Sequence, residues 1–115
     1  MTVRIFNTVS RSLEDLSPIG PPKVGIYSCG PTVYDFPHIG NFRTFASIDL
    51  LRRFLKFRGY DVVSVMNITD IDDKTIKRAA DEGVPLEAVT DRFTDAFYAD
   101  LKTLNCMKAD VHPRA

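Results

Sequence analysis

Residues 61–69 hold Val62, Val63, Val65, Met66 and Ile68 in near-continuous succession, which is how a strand buried on both faces reads. Such strands belong to parallel sheets, and a parallel partner requires a long crossover, usually a helix. The chain supplies both. Residues 24–28 have a compact strand pattern. Residues 42–58 carry Phe42, Phe45, Ile48, Leu51, Phe54 and Leu55 at three- and four-residue steps, the apolar face of an amphipathic helix. Arg52, Arg53, Lys56 and Arg58 crowd its last turns, where positive charge complements the helix dipole, and Gly59 offers a left-handed stop. Their basic side chains are expected on a solvated face. Strand, helix, strand is a βαβ unit, and its crossover is expected to be right-handed. The fold class is therefore α/β.

The flanking segments are simpler. Residues 3–7 alternate like a short strand, and residues 10–22 are turn-rich up to Gly20-Pro21-Pro22. A helix is expected over 72–82, with acids at its start and Gly83 as its stop. Another begins near Pro85, with Leu86, Val89, Phe93, Phe97, Leu101 and Leu104 as its buried face. Residues 107–115 show no periodicity; His112 in that tail is expected to be exposed, and Cys106 to sit at a helix end or in the core. Asp70, Asp72 and Asp73 could suggest a magnesium site, but acids at a helix start more commonly cap it.

Composition excludes several function classes. Lys plus Arg (15) balances Asp plus Glu (15), which argues against a module that coats nucleic acid. No apolar run approaches the ~20 residues of a membrane span, and residues 1–7 lack a secretory layout. Two cysteines, Cys29 and Cys106, suit a reducing compartment, so a cytoplasmic protein is expected.

The chemistry lies in the loop over 29–41, Cys-Gly-Pro-Thr-Val-Tyr-Asp-Phe-Pro-His-Ile-Gly-Asn. It follows a parallel strand and precedes a helix, the position at which α/β proteins bind ligands. Free backbone N–H groups and the helix dipole favour an anion there. His38 can donate to phosphate oxygens, Gly40 allows a flat ring or a phosphate close to the backbone, and Asn41 is a helix cap and a neutral donor. The dinucleotide fingerprint and the phosphate-loop lysine motif are both absent, so this is another kind of nucleotide loop.

That loop, followed by N-I-T-D-I-D-D-K-T-I-K-R-A over 67–79, closely resembles the cysteinyl-tRNA synthetases, with His38-Ile39-Gly40-Asn41 similar to the HIGH motif of class I aminoacyl-tRNA synthetases. The resemblance extends from Ile5-Phe6-Asn7-Thr8 to Pro113-Arg114-Ala115. It implies the first half of a Rossmann-like nucleotide-binding fold over 1–115, with an incomplete sheet and no second domain in the chain. It implies an enzyme that joins cysteine to ATP as cysteinyl-adenylate and passes it to tRNA(Cys). His38 and Asn41 would be catalytic, residues 38–41 would bind ATP with Mg2+, and Cys29, Gly30, Thr32 and Thr69 would form the cysteine pocket. Cys29 would be the first ligand of a Zn2+ that takes the substrate thiolate, separating cysteine from serine where size cannot.

The family's K-M-S-K-S loop and remaining zinc ligands do not occur in this sequence. The chain is accordingly expected to be the amino-terminal part of a longer enzyme, inactive or weakly active alone, with an unpaired strand edge that invites self-association. The alternatives are a non-catalytic ATP-binding or interaction fragment, and a piece of the related cysteine ligase of mycothiol synthesis.

Overall fold

The computed structural model describes residues 2–114; Met1 and Ala115, the ends of the expected 1–115 domain, lie outside the described residues. The βαβ unit is present. Strand β3 (Lys23–Ser28) pairs in parallel with β4 (Asp61–Met66), in register from Lys23 opposite Asp61 to Ser28 opposite Met66. Helix α1 (Ile39–Phe57) connects them. Arg58 closes its last turn, and Gly59 reverses the chain at φ +87°, a conformation that favours glycine. Two helices follow. In α2 (Asp73–Glu82), Asp72 caps the start through Lys74 N–H at 2.9 Å and Gly83 ends the helix at φ +67°. Helix α3 (Leu86–Thr103) starts after Pro85 and buries Val89, Phe93, Phe97 and Leu101, while Leu104 ends up exposed as its C-cap.

A main core cluster gathers Phe42 and Phe45 of α1, Ile68, Ala79 of α2 and the buried face of α3. Its aromatic centre is Phe97, which stacks on Phe42 and meets Phe45 edge-on. A smaller cluster joins Val3, Val24, Leu55 and Val62 on the other side. Strand β4 alternates buried and half-buried residues, so one face is covered more deeply than a strand buried on both faces would be.

Several expectations are corrected. The turn-rich segment contains a strand: β2 (Ser12–Asp15) pairs antiparallel with β1 (Arg4–Asn7). All of β2 is exposed, so it has no buried face to write an apolar period into the sequence. The tail is ordered along β4. Met66 N–H donates to Val111 O at 3.0 Å and Ile68 N–H to Pro113 O at 2.9 Å, extending the parallel ladder by isolated bridges. The β4 edge is thus covered, and among the described residues the edge without a strand partner is the far side of β3.

Arg52 holds that tail, and it is buried instead of solvated, at 3% exposure. Its guanidinium donates to Met107 O at 2.9 Å and Lys108 O at 3.0 Å, with the Asp110 carboxylate 3.7 Å away. Asp49 Oδ1 accepts from Met107 N–H, and Arg53 donates to Asn105 O. A planar cation satisfies carbonyls that a chain without secondary structure leaves open. His112 is half-buried, edge-on to Tyr98, with both ring nitrogens shut off from solvent and outside hydrogen-bond geometry. No helix among the described residues is long and apolar enough to cross a membrane.

Replacing Arg52 with Met keeps the stem and removes these bonds, which should cost about 3 kcal/mol in urea unfolding. Hydrogen exchange at Met66 and Ile68 should quicken; unchanged stability with those amides still protected would show that the tail is held without Arg52.

Burial pushes the His112 imidazole below its ordinary pKa of 6.5, and the Lys108 charge adds to the effect. As pH falls the unfolded chain takes up this proton first, so the contribution is complete above about pH 6.5 and is lost as pH drops toward the folded value. The melting temperature should decline from about pH 7 to about pH 5.5, and His112→Phe should flatten the decline; an equal slope in both proteins would remove His112 as its cause.

Candidate functional site

Parallel strands β3 and β4 deliver their carboxyl ends side by side, and the two loops that leave them remain joined. Thr69 N–H donates to Pro31 O at 3.0 Å and Val33 N–H to Thr69 O at 3.1 Å, so Thr32 and Thr69 form a parallel bridge beyond the strands. The junction is tight at Gly30. A Cβ added there would sit 1.7 Å from the Asn67 carbonyl oxygen, so only glycine fits. Gly30 N–H donates to Asn67 Oδ1 at 2.9 Å, which turns Asn67 Nδ2 toward Thr69 Oγ1 at 3.1 Å. Asn67 therefore fastens both loops through one amide. It was visible in the sequence only as part of a motif, since nothing in its residue type announces a clamp.

Further on, Val33 is buried in the main core and Phe36 meets Phe93 edge-on at 5.1 Å. Asp35 lies 3.6 Å from Arg78, whose guanidinium also pairs with Glu82. Arg92 reaches the same Glu82 at 2.9 Å, and these two cations hold the Glu82 carboxyl below its usual range. The loop is thereby tied to α2 and α3 at three residues.

Helix α1 begins three residues earlier than its apolar period indicates, because its first turn is set by polar capping. His38 is the N-cap, and its Nδ1 accepts from Gly40 N–H at 3.1 Å. Asn41, expected as the cap, completes the box from inside the helix: its Oδ1 accepts from His38 N–H at 3.0 Å. These bonds have two chemical results. With Nδ1 accepting, the neutral ring carries its proton on Nε2 and presents a donor outward. With Oδ1 engaged, Asn41 offers Nδ2 as a donor.

The cap also uses the backbone groups expected to bind an anion: Gly40 N–H goes to the His38 ring, and Asn41 and Phe42 N–H go to His38 O. The donors remaining for a ligand are mainly the two side chains. Gly40 itself is approached by the His38 ring, whose Cε1 would lie 2.9 Å from an added Cβ.

Cys29, Gly30, Thr32, His38 and Asn41 line one cavity of about 500 Å³, together with Tyr34, Asp35, Phe36 and Lys74. Cys29 is exposed there with a free thiol. Ile39 is exposed on α1, and neither it nor Gly40 lies on the cavity wall; Thr69 stands behind Thr32 as its backbone partner. Lys74 lines the same cavity, and sequence reasoning missed it because a lysine in a helix's first turn looks like ordinary surface. Asp72 caps α2 as expected, and Asp70 faces Arg114 at 3.6 Å. Among the described residues no group of three or more His, Cys, Asp or Glu is arranged to hold a metal ion, so Cys29 belongs to no complete ligand set there. Cys106 is half-buried just after α3, and burial raises its thiol pKa.

The model of the class I (C) tRNA synthetase catalytic domain matches residues 15–115. A cysteine–tRNA ligase from Geobacillus thermodenitrificans is 48% identical over 113 residues, covering 98% of this chain and 24% of the ligase. One from Brevibacillus brevis is 51% identical over 114 residues, covering 99% and 24%. The chain thus spans 24% of the length of these relatives. Among solved structures, Mycobacterium tuberculosis methionyl-tRNA synthetase bound by methionyl-adenylate superposes with a TM-score of 0.70 at 26% identity, over 83% of this chain and 18% of that one.

Gly30→Ala should disrupt the junction of the two loops, lowering the unfolding free energy by about 2 kcal/mol or more through overpacking against backbone. Asn67→Ala should leave the strands paired and speed exchange of the Gly30 amide; a Gly30 amide as protected as before would contradict the clamp.

Proposed function

Because the chain belongs to the class I (C) tRNA synthetase catalytic-domain family, we propose that it supplies the first half of a site that joins cysteine to ATP, in an enzyme that then transfers the cysteinyl group to tRNA(Cys). The amino-terminal half of the nucleotide-binding domain over 1–115 is the part in question, and the cytoplasm is where these substrates meet. The observation that carries the reading is the shared cavity: an exposed cysteine sulfur and the His38 and Asn41 donors open onto one space at the carboxyl ends of parallel strands.

In this reading His38-Ile39-Gly40-Asn41 is the family's form of the HIGH motif. The amino-acid carboxylate attacks the α-phosphorus of ATP, and pyrophosphate leaves. Negative charge grows on the phosphate oxygens, and His38 Nε2–H and Asn41 Nδ2–H meet it from a backbone already locked by the capping box. Such preorganised donors are worth about 2.7–4 kcal/mol each to a transition state. Ile39 and Gly40 contribute through the backbone: Gly40 lets the His38 ring fold onto it, and Ile39 opens the helix. Gly30 and Thr32 form the wall beside the sulfur, and Thr69 supports Thr32 from behind.

Mg2+ would accompany ATP as its counter-ion. Zinc is a narrower matter. The described residues do not by themselves fit a zinc ion, since no three His, Cys, Asp or Glu side chains are grouped among them and such sites take three or four protein ligands. Cys29 is proposed as a single contributed ligand.

A chimaera in which this chain replaces the matching stretch of the Geobacillus thermodenitrificans ligase tests the reading. It should show cysteine-dependent exchange of pyrophosphate into ATP, reduced about 100- to 1,000-fold by His38→Ala. A folded chimaera without exchange, or one indifferent to His38, would overturn it.

A further inference from the structure

Helix α2 opens on Asp72 and Asp73, acids suited to the positive end of a helix dipole, and then places Lys74 in the same first turn. A cation there opposes the dipole, and positions at which a sequence breaks a local rule tend to be functional. Lys74 lines the cavity with His38 and Cys29, and it is the one Lys or Arg on that wall. Among the described residues its ammonium enters no ion pair, while Asp35, Asp72 and Asp81 are engaged elsewhere. Asp35 faces Arg78 at 3.6 Å, Asp81 holds Lys77 at 2.8 Å, and Asp72 caps its own helix. What Lys74 touches is the Tyr34 ring, 5.2 Å from its centroid, a contact that keeps the charge beside the cavity.

From this we infer that Lys74 is a phosphate-binding residue of the cavity, its ammonium engaging the phosphate chain of a nucleoside triphosphate beside the neutral donors of His38 and Asn41. The inference rests on the cavity being a nucleotide site. A triphosphate carries several negative charges, and His38 and Asn41 compensate none of them by formal charge. An ammonium on a flexible four-carbon stem suits a phosphate chain whose geometry changes as pyrophosphate departs. The Asp72 cap, bonded to Lys74 N–H, fixes the backbone from which that stem extends.

The test titrates the 115-residue chain with ATP, tripolyphosphate and adenosine, following amide shifts of the loop, beside Lys74→Met and Lys74→Arg. Lys74→Met should weaken ATP and tripolyphosphate about tenfold or more, leave adenosine unchanged, and be largely rescued by Lys74→Arg. Its melting temperature should hold or rise slightly, since a charge opposed to the dipole is gone. ATP and tripolyphosphate affinities within about twofold of the parent would overturn the inference. So would a marked drop in melting temperature with anion binding intact, which would make Lys74 a tie to Tyr34. If the parent binds tripolyphosphate through Lys74 but not ATP, the anion role stands and the nucleotide reading falls; if it binds neither, both fall.

Discussion

The arrangement of this site depends on a place where no side chain fits. At Gly30 the backbone of one loop runs against the backbone of the other, close enough that the Asn67 carbonyl occupies the space a β-carbon would need. Two parallel strands normally diverge once their ladder ends. Here Asn67 bonds across the gap to Gly30 and along its own loop to Thr69, and the bridge at Thr32 carries the pairing further. The loop then has its start fixed by the sheet and its middle fixed by Val33 in the core. Cys29, one residue before the tight point, is left on the outside.

The same economy operates at the helix. A histidine beside a helix start can cap the helix or meet a ligand, and these uses look exclusive. The two nitrogens of His38 leave room for both: Nδ1 accepts from Gly40 N–H, and with that bond the neutral ring carries its proton on Nε2. The cap and the outward-facing donor are thus consecutive consequences of one hydrogen bond. Asn41 repeats the pattern, with its oxygen turned inward and its amide nitrogen outward. The capped backbone commits the N–H groups of Gly40, Asn41 and Phe42 in the process, so the donors left open at this helix start are mainly side chains.

What could be read from the sequence follows what leaves a period in it. The βαβ unit, the glycine stops at 59 and 83, and the buried face of α3 were legible because burial recurs at the spacing of the element. The β2 strand was not, since its residues are all exposed. Nor was the tail, whose ordering comes from backbone bonds to Ser64, Met66 and Ile68 and from a guanidinium many residues away. Arg52 looked like surface charge among its neighbours Arg53 and Lys56, and only the fold brings its carbonyl partners within reach. For the candidate site, the residue types at 29, 38 and 41 pointed to residues that line one cavity, whereas which of their atoms are engaged within the chain required geometry. Lys74 belongs to the second kind.

With the tail laid along β4, a further strand bonded directly to the β3–β4 pair would lie on the outer side of β3. A strand set parallel on that flank would finish level with Ser28, and whatever chain continued from it would emerge next to the Cys29 sulfur. A segment that widened the sheet on that flank would therefore end near Cys29.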